Sequence, residues 1–128
     1  MNKEDLKQRT KRFALDIMKL VEELPNTKAG NVISYQITKS GTSVAANYRA
    51  SCRARSTADF ISKMGIVEEE SDETLFWLEL IVEGNLLKKE RVQNLMKEAN
   101  ELTAIFTASV KTVKQNNPKT PNKKQHKS

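Results

Sequence analysis

Three groups of side chains in this chain have types that could do chemistry. Cys52 lies between Arg49 and Arg53, a pairing that favours the thiolate form of a nucleophilic cysteine. It also falls where a helix is expected to end, and the negative end of the helix dipole opposes a thiolate there. The only histidine, His126, is close to the C-terminus, so an ordered Ser–His or Cys–His pair is not expected. Glu68-Glu69-Glu70-Ser71-Asp72-Glu73 is the second group, rich enough in carboxylates to raise the question of a metal site. Di-iron bundles, however, combine inward glutamates on several helices with Glu-x-x-His pairs, and this chain has no such histidine. No catalytic residue, no metal site and no cofactor is therefore expected. The third group is cationic: Lys7, Lys11 and Arg12 near the start, Arg49, Arg53 and Arg55 in the middle, and Lys111 and Lys114 late in the chain.

The elements that position these groups follow from hydrophobic spacing. Leu6, Phe13, Ile17, Leu20 and Leu24 recur at helical intervals and predict a helix over 3–24, stopped by Pro25. Asn26 or Thr27 can cap a second helix over 28–52. Its inner seam reads Ile33, Ile37, Ser40, Val44, Asn47, Ser51, flanked by Gly41, Ala45 and Ala46. Ser56-Thr57-Ala58-Asp59 has a capping-box pattern opening a third helix over 57–83, with Gly84-Asn85 as the stop. A fourth helix over 88–114 presents Val92, Leu95, Ala99, Leu102, Phe106, Val110 and Val113. Residues 115–128 carry two prolines, four lysines and no periodicity, which predicts a disordered basic tail. Short connections make the fold class all-α, an up-down-up-down antiparallel four-helix bundle over 1–114.

The chain has 128 residues and a formal net charge of +6. That length suits one domain with a modest core. No apolar run of membrane-spanning length occurs, the charged start lacks a signal-peptide pattern, and the cysteine is single. Those features lead us to expect a cytoplasmic protein with no membrane partner.

In an up-down bundle the start of the first helix and the ends of the second and fourth share one end of the molecule. The eight cations of the third group then gather at that end. The helix dipole explains arginines at a helix C-terminus, but it disfavours the lysines and arginines at the N-terminus of the first helix. An anion-binding surface is expected, with RNA or DNA held through phosphates and little aromatic content for reading bases. A second expectation concerns the border between helices two and three. Glu70 and Glu73 lie on a line with Ile66 and Trp77 that edges the core, level with Lys39 and Ser40. A polar cluster of Ser40, Glu70 and Glu73, with Gln36 beside it, would fix register or assembly, and Asn47 would hydrogen-bond across the bundle. The alternative to nucleic-acid binding is a protein-protein interaction module that uses the acidic face of the third helix, Glu68, Glu69 and Asp72, with no nucleic acid.

The segments Ser40-Gly41-Thr42-Ser43-Val44-Ala45-Ala46-Asn47-Tyr48-Arg49, Arg55-Ser56 with Asp59-Phe60, and Glu73-Thr74-Leu75-Phe76-Trp77-Leu78 carry a resemblance. Together they resemble the bacterial four-helix-bundle proteins of the 23S rRNA-intervening sequence protein family, from Phe13 to about Lys114. The resemblance implies a small up-down bundle assembled as a homo-oligomer, a pentameric ring in many members. It also implies a distant relation to the accessory proteins of diversity-generating retroelements, which partner a reverse transcriptase and bind nucleic acid on a basic surface. Many members carry an acidic residue where this chain has Ala50 and Ser51, so no role of that carboxylate is carried over.

Overall fold

In the computed structural model of the protein, which describes residues 1–116, four helices follow one another: α1 (Lys3–Val21), α2 (Lys28–Ser51), α3 (Thr57–Glu83) and α4 (Lys89–Gln115). Each packs against its neighbour in sequence, and α1 and α4 close the ring more sparsely. The expected tail from residue 117 onward lies outside the described residues; Gln115, assigned to it above, is helical.

The starts are set by side-chain caps. Asn2 and Asp5 form a reciprocal capping box at α1, a signal not read from the sequence. Thr27, rather than Asn26, caps α2 by accepting from the Gly30 N–H at 3.0 Å. Ser56 caps α3 by accepting from the Asp59 N–H at 3.0 Å, as its motif predicts. The ends differ more from expectation. Helix α1 leaves α geometry at Val21, not Leu24, because its last turn tightens: Glu23 and Leu24 donate to the carbonyls of Leu20 and Val21, three residues back. After α3 it is Asn85, not Gly84, that takes the left-handed conformation, with φ 60°. Asparagine tolerates that region better than most residues.

The core is one cluster drawn from all four helices. Ile17, Leu20, Ile37, Val44, Met64, Val67, Leu78, Ile81, Val92, Leu102 and Phe106 are fully buried. Tyr48 joins them and stacks on Phe106 with ring centroids 5.9 Å apart. That corrects the α2 seam at one position: between Val44 and Ser51, which are buried as expected, the buried residue is Tyr48, and Asn47 is only half-buried at the edge. Steps of three and of four residues are both helical, and the larger, stacking side chain takes the inner place.

Two glycines let backbone approach. A Cβ on Gly41 would lie 3.1–3.3 Å from three atoms of Ile17, so the glycine admits α1 against α2. One on Gly30 would fall 2.1 Å from the Pro25 carbonyl oxygen, which closes the α1–α2 turn over the start of α2. Buried hydroxyls cross the other interfaces. Thr74 donates to Ser40 at 2.8 Å between α3 and α2, and Ser71 and Thr103 share a 2.7 Å hydrogen bond between α3 and α4.

Candidate nucleic-acid interface

The rotation of each helix distributes the cations expected at one end over different hollows. Lys7 and Lys11 from α1 face Arg49 from the last turn of α2 and Arg53 from the turn after it across a groove of about 390 Å³. Its other lining residues are Glu4 and Gln8 on α1, and Thr42, Ala45 and Ala46 on α2. The small residues flanking the α2 seam thus have two uses. Gly41 admits α1, whereas Thr42, Ala45 and Ala46 form the floor that keeps the groove open.

Charge in the groove is largely uncompensated. Among the described residues Lys11, Arg49 and Arg53 have no carboxylate within ion-pair distance, and Lys7 reaches Glu4 only at 3.5 Å. Gln8 donates to the Glu4 carboxylate at 3.2 Å. That bond, followed by the charge of Lys7, holds Glu4 below the usual glutamate range.

The opposite flank of α1 is neutralised. Arg9 forks onto Glu98 with N–O distances of 2.6 and 2.7 Å and reaches Glu101 at 2.8 Å. The Glu98 hydrogen bonds hold its guanidinium even more firmly protonated than usual. Further along the same seam Arg91 forks onto Glu23. Arg12 lines this α1–α4 seam beside Asp16, Arg91 and Glu98, so it stands apart from the groove. Arg55 lies at the α2–α3 turn, lining a separate hollow with Lys3, Cys52 and Phe60. Lys111 and Lys114 are exposed on α4 and line neither hollow. Of the eight expected cations, the structure brings four together.

The polar cluster on the α2–α3 border exists with different partners. Glu70 lies level with Lys39, as expected, but the hydroxyl that bonds it is Ser43, and Ser40 pairs with Thr74 instead. Asn47 donates to Ser43 Oγ at 2.7 Å and to the Ser43 carbonyl at 3.0 Å, within its own helix rather than across the bundle. Burial and then the nearby Glu73 raise the Glu70 carboxyl above the usual range, with Ser43 and Lys39 opposing. Glu73 accepts from Trp77 Nε1 at 3.2 Å. Ser43 and the Ser40–Thr74 pairing were missed because a helical serine or threonine can also satisfy itself on its own helix, so sequence carries little sign of a cross-helix bond.

The acidic run does not make a single face. Glu68 turns to α4 and accepts from Thr107 at 2.7 Å, while Glu70 turns to α2. Only Glu69, Asp72 and Glu73 of the run are exposed. Among the described residues no group of acids, cysteine and histidine could hold a metal ion. Beside Cys52, the Tyr48 phenol is pushed well above its ordinary value by burial first and the thiol second. No described helix is long and apolar enough to cross a membrane.

Against known proteins, residues 2–108 match the profile of the 23S rRNA-intervening sequence protein family. A solved structure of a protein of unknown function from the S23 ribosomal protein family, from Bacteroides thetaiotaomicron, superposes with a TM-score of 0.77 at 34% identity, covering 82% of this chain and 97% of that one. No curated protein matches. The chain belongs to the 23S rRNA-intervening sequence protein family.

Proposed function

We propose that this member of the 23S rRNA-intervening sequence protein family is a non-enzymatic nucleic-acid-binding or scaffolding protein that holds RNA or DNA through phosphates and works as a homo-oligomer. The observation that carries the reading is the α1–α2 groove, where four cations face each other across a small-residue floor against a single carboxylate. Cations left without partners raise the local anion concentration, and their charge is available for phosphates. The names of the matched family and of the similar structure both refer to ribosomal RNA or ribosomal proteins, which agrees with such a ligand.

Self-association is supported by apolar side chains left outside. Val32 and Tyr35 on α2 and Ile66 and Phe76 on α3 are exposed, and Phe76 meets Trp77 edge to face with ring centroids 5.0 Å apart. Symmetric copies would repeat the groove and add avidity. The alternative, a protein partner docking on the acidic face of α3, loses Glu68, which turns to Thr107 on α4, and keeps Glu69 and Asp72 with Glu73 beside them.

Fluorescence anisotropy with the full chain, using structured RNA and duplex DNA across a salt series, tests the binding reading. Log affinity is expected to fall linearly with log salt. Replacing Lys11, Arg49 and Arg53 by glutamate should abolish binding. Absence of binding to either polymer at low salt refutes the reading, and light scattering of the same sample tests the oligomer.

A further inference from the structure

We infer that the α1–α2 groove takes a single phosphodiester strand lengthwise and reads none of its bases; this rests on the nucleic-acid reading above. The inference comes from what the groove lacks as much as from what it holds. No aromatic side chain lines it. The aromatic residues nearest in sequence to its lining, Phe13 and Tyr48, are 1% and 5% exposed in the core and offer no stacking surface.

The neutral hydrogen-bonding side chains are partly occupied as well. Gln8 Nε2 donates to Glu4 at 3.2 Å, and Thr42 Oγ1 donates to the Thr38 carbonyl at 2.7 Å. What they leave for a base edge is the second amide N–H and the carbonyl oxygen of Gln8 and the lone pairs of the Thr42 hydroxyl. Charge stands on two walls, Lys7 and Lys11 opposite Arg49 and Arg53.

The shape suits a strand. From Thr42 to Ser51 the α2 wall runs ~14 Å at the helical rise per residue, and Arg53 extends it into the following turn. A narrow channel with cations on both sides can contact one backbone from two directions, with the bases turned to solvent. Recognition of this kind needs phosphates at intervals along a line, so inorganic polyphosphate has the same chemistry and belongs in the test.

The experiment measures anisotropy competition on the full chain with four probes: oligothymidylate, a phosphodiester strand of the same length without bases, inorganic polyphosphate and duplex DNA. The abasic strand should bind within about threefold of oligothymidylate, because base stacking contributes nothing; stacking on even one aromatic would separate the two by ~5-fold or more. The salt slope should be near −3, the value for about four phosphates neutralised on a single strand. Arg49→Gln with Arg53→Gln should weaken both strands equally and reduce the slope by about half, with circular dichroism verifying the fold. Oligothymidylate binding more than tenfold tighter than the abasic strand overturns the inference and leaves the nucleic-acid reading standing. Duplex DNA competing more than tenfold better than either strand also overturns it. Polyphosphate outcompeting both strands by that margin assigns the groove to polyphosphate and overturns it too. If no nucleic acid binds at all, the reading beneath it fails instead.

Discussion

Gly41 and Gly65 provide a matched pair for testing how the bundle closes. Both are interior helix glycines, so replacement by alanine gains the same propensity, about 0.5–1 kcal/mol. Their surroundings differ. A Cβ on Gly65 meets nothing within 4 Å, whereas one on Gly41 meets Ile17 Cγ1, Cγ2 and Cβ at 3.1, 3.2 and 3.3 Å. Ile17 is fully buried and cannot swing aside. Overpacking of this type costs about 1–3 kcal/mol, so Gly41→Ala should be destabilising by up to ~2 kcal/mol after the propensity gain, while Gly65→Ala stabilises. Urea unfolding at one fixed protomer concentration reads both as shifts in midpoint with unchanged slope. In heat the two variants should separate by roughly 4 °C for each kcal/mol between them. In an Ile17→Ala background the penalty at Gly41 should shrink, since the two Cγ atoms it meets are gone and only the Cβ contact at 3.3 Å remains. A Gly41→Ala midpoint that rises alongside that of Gly65→Ala would refute close α1–α2 packing as the reason for that glycine.

Three further outcomes are expected. Glu70 has its folded pKa raised above the unfolded value by burial and by Glu73, so its ionised form opposes folding; stability should fall as pH rises from about 4.5 through the raised native value. Glu70→Gln should stabilise at neutral pH and remove that slope in urea midpoints, with the gain gone in acid where the native carboxyl is already protonated. Arg9→Met should cost about 1 kcal/mol, because Arg9 is about a quarter exposed and its fork onto Glu98 bridges the sparse α1–α4 seam; repeating the urea titration at high salt should shrink the difference. Asn85→Ala should lower stability by about 1 kcal/mol, since alanine resists the left-handed φ of 60°, whereas Asn85→Gly should leave it unchanged or slightly higher in the same assay.

The periodicity of apolar residues made four helices and most of the core legible, because burial of a stripe is what a helix in water requires. Rotation within the stripe was less legible. Val44 to Ser51 can be bridged by Asn47 or Tyr48, and only the opposing Phe106 ring, from a helix sixty residues away in sequence, decides for Tyr48. The same problem governs the basic end. Topology places Lys7, Lys11 and Arg12 together, yet a one-residue step turns Arg12 about 100° from Lys11, and it faces α4 instead of α2. Glu70 was placed at the right level because antiparallel register follows from short loops. Its Ser43 partner was not, since short hydroxyls leave no mark in a hydrophobic pattern.

The α1–α4 seam has a consequence for chain connectivity. One hollow along it is lined by Met1, Asn2 and Lys3 together with Ser109, Thr112 and Val113, so the two ends of the described chain are neighbours. A short peptide could join them without crossing the bundle, and new ends could be opened at the far turn around Asn85, whose side chain is exposed. Such a circular permutant would keep every helix pair while making α4 and α1 consecutive. The fold is in this sense a closed cycle of four hairpins, and its natural break falls at the sparsest of the four contacts.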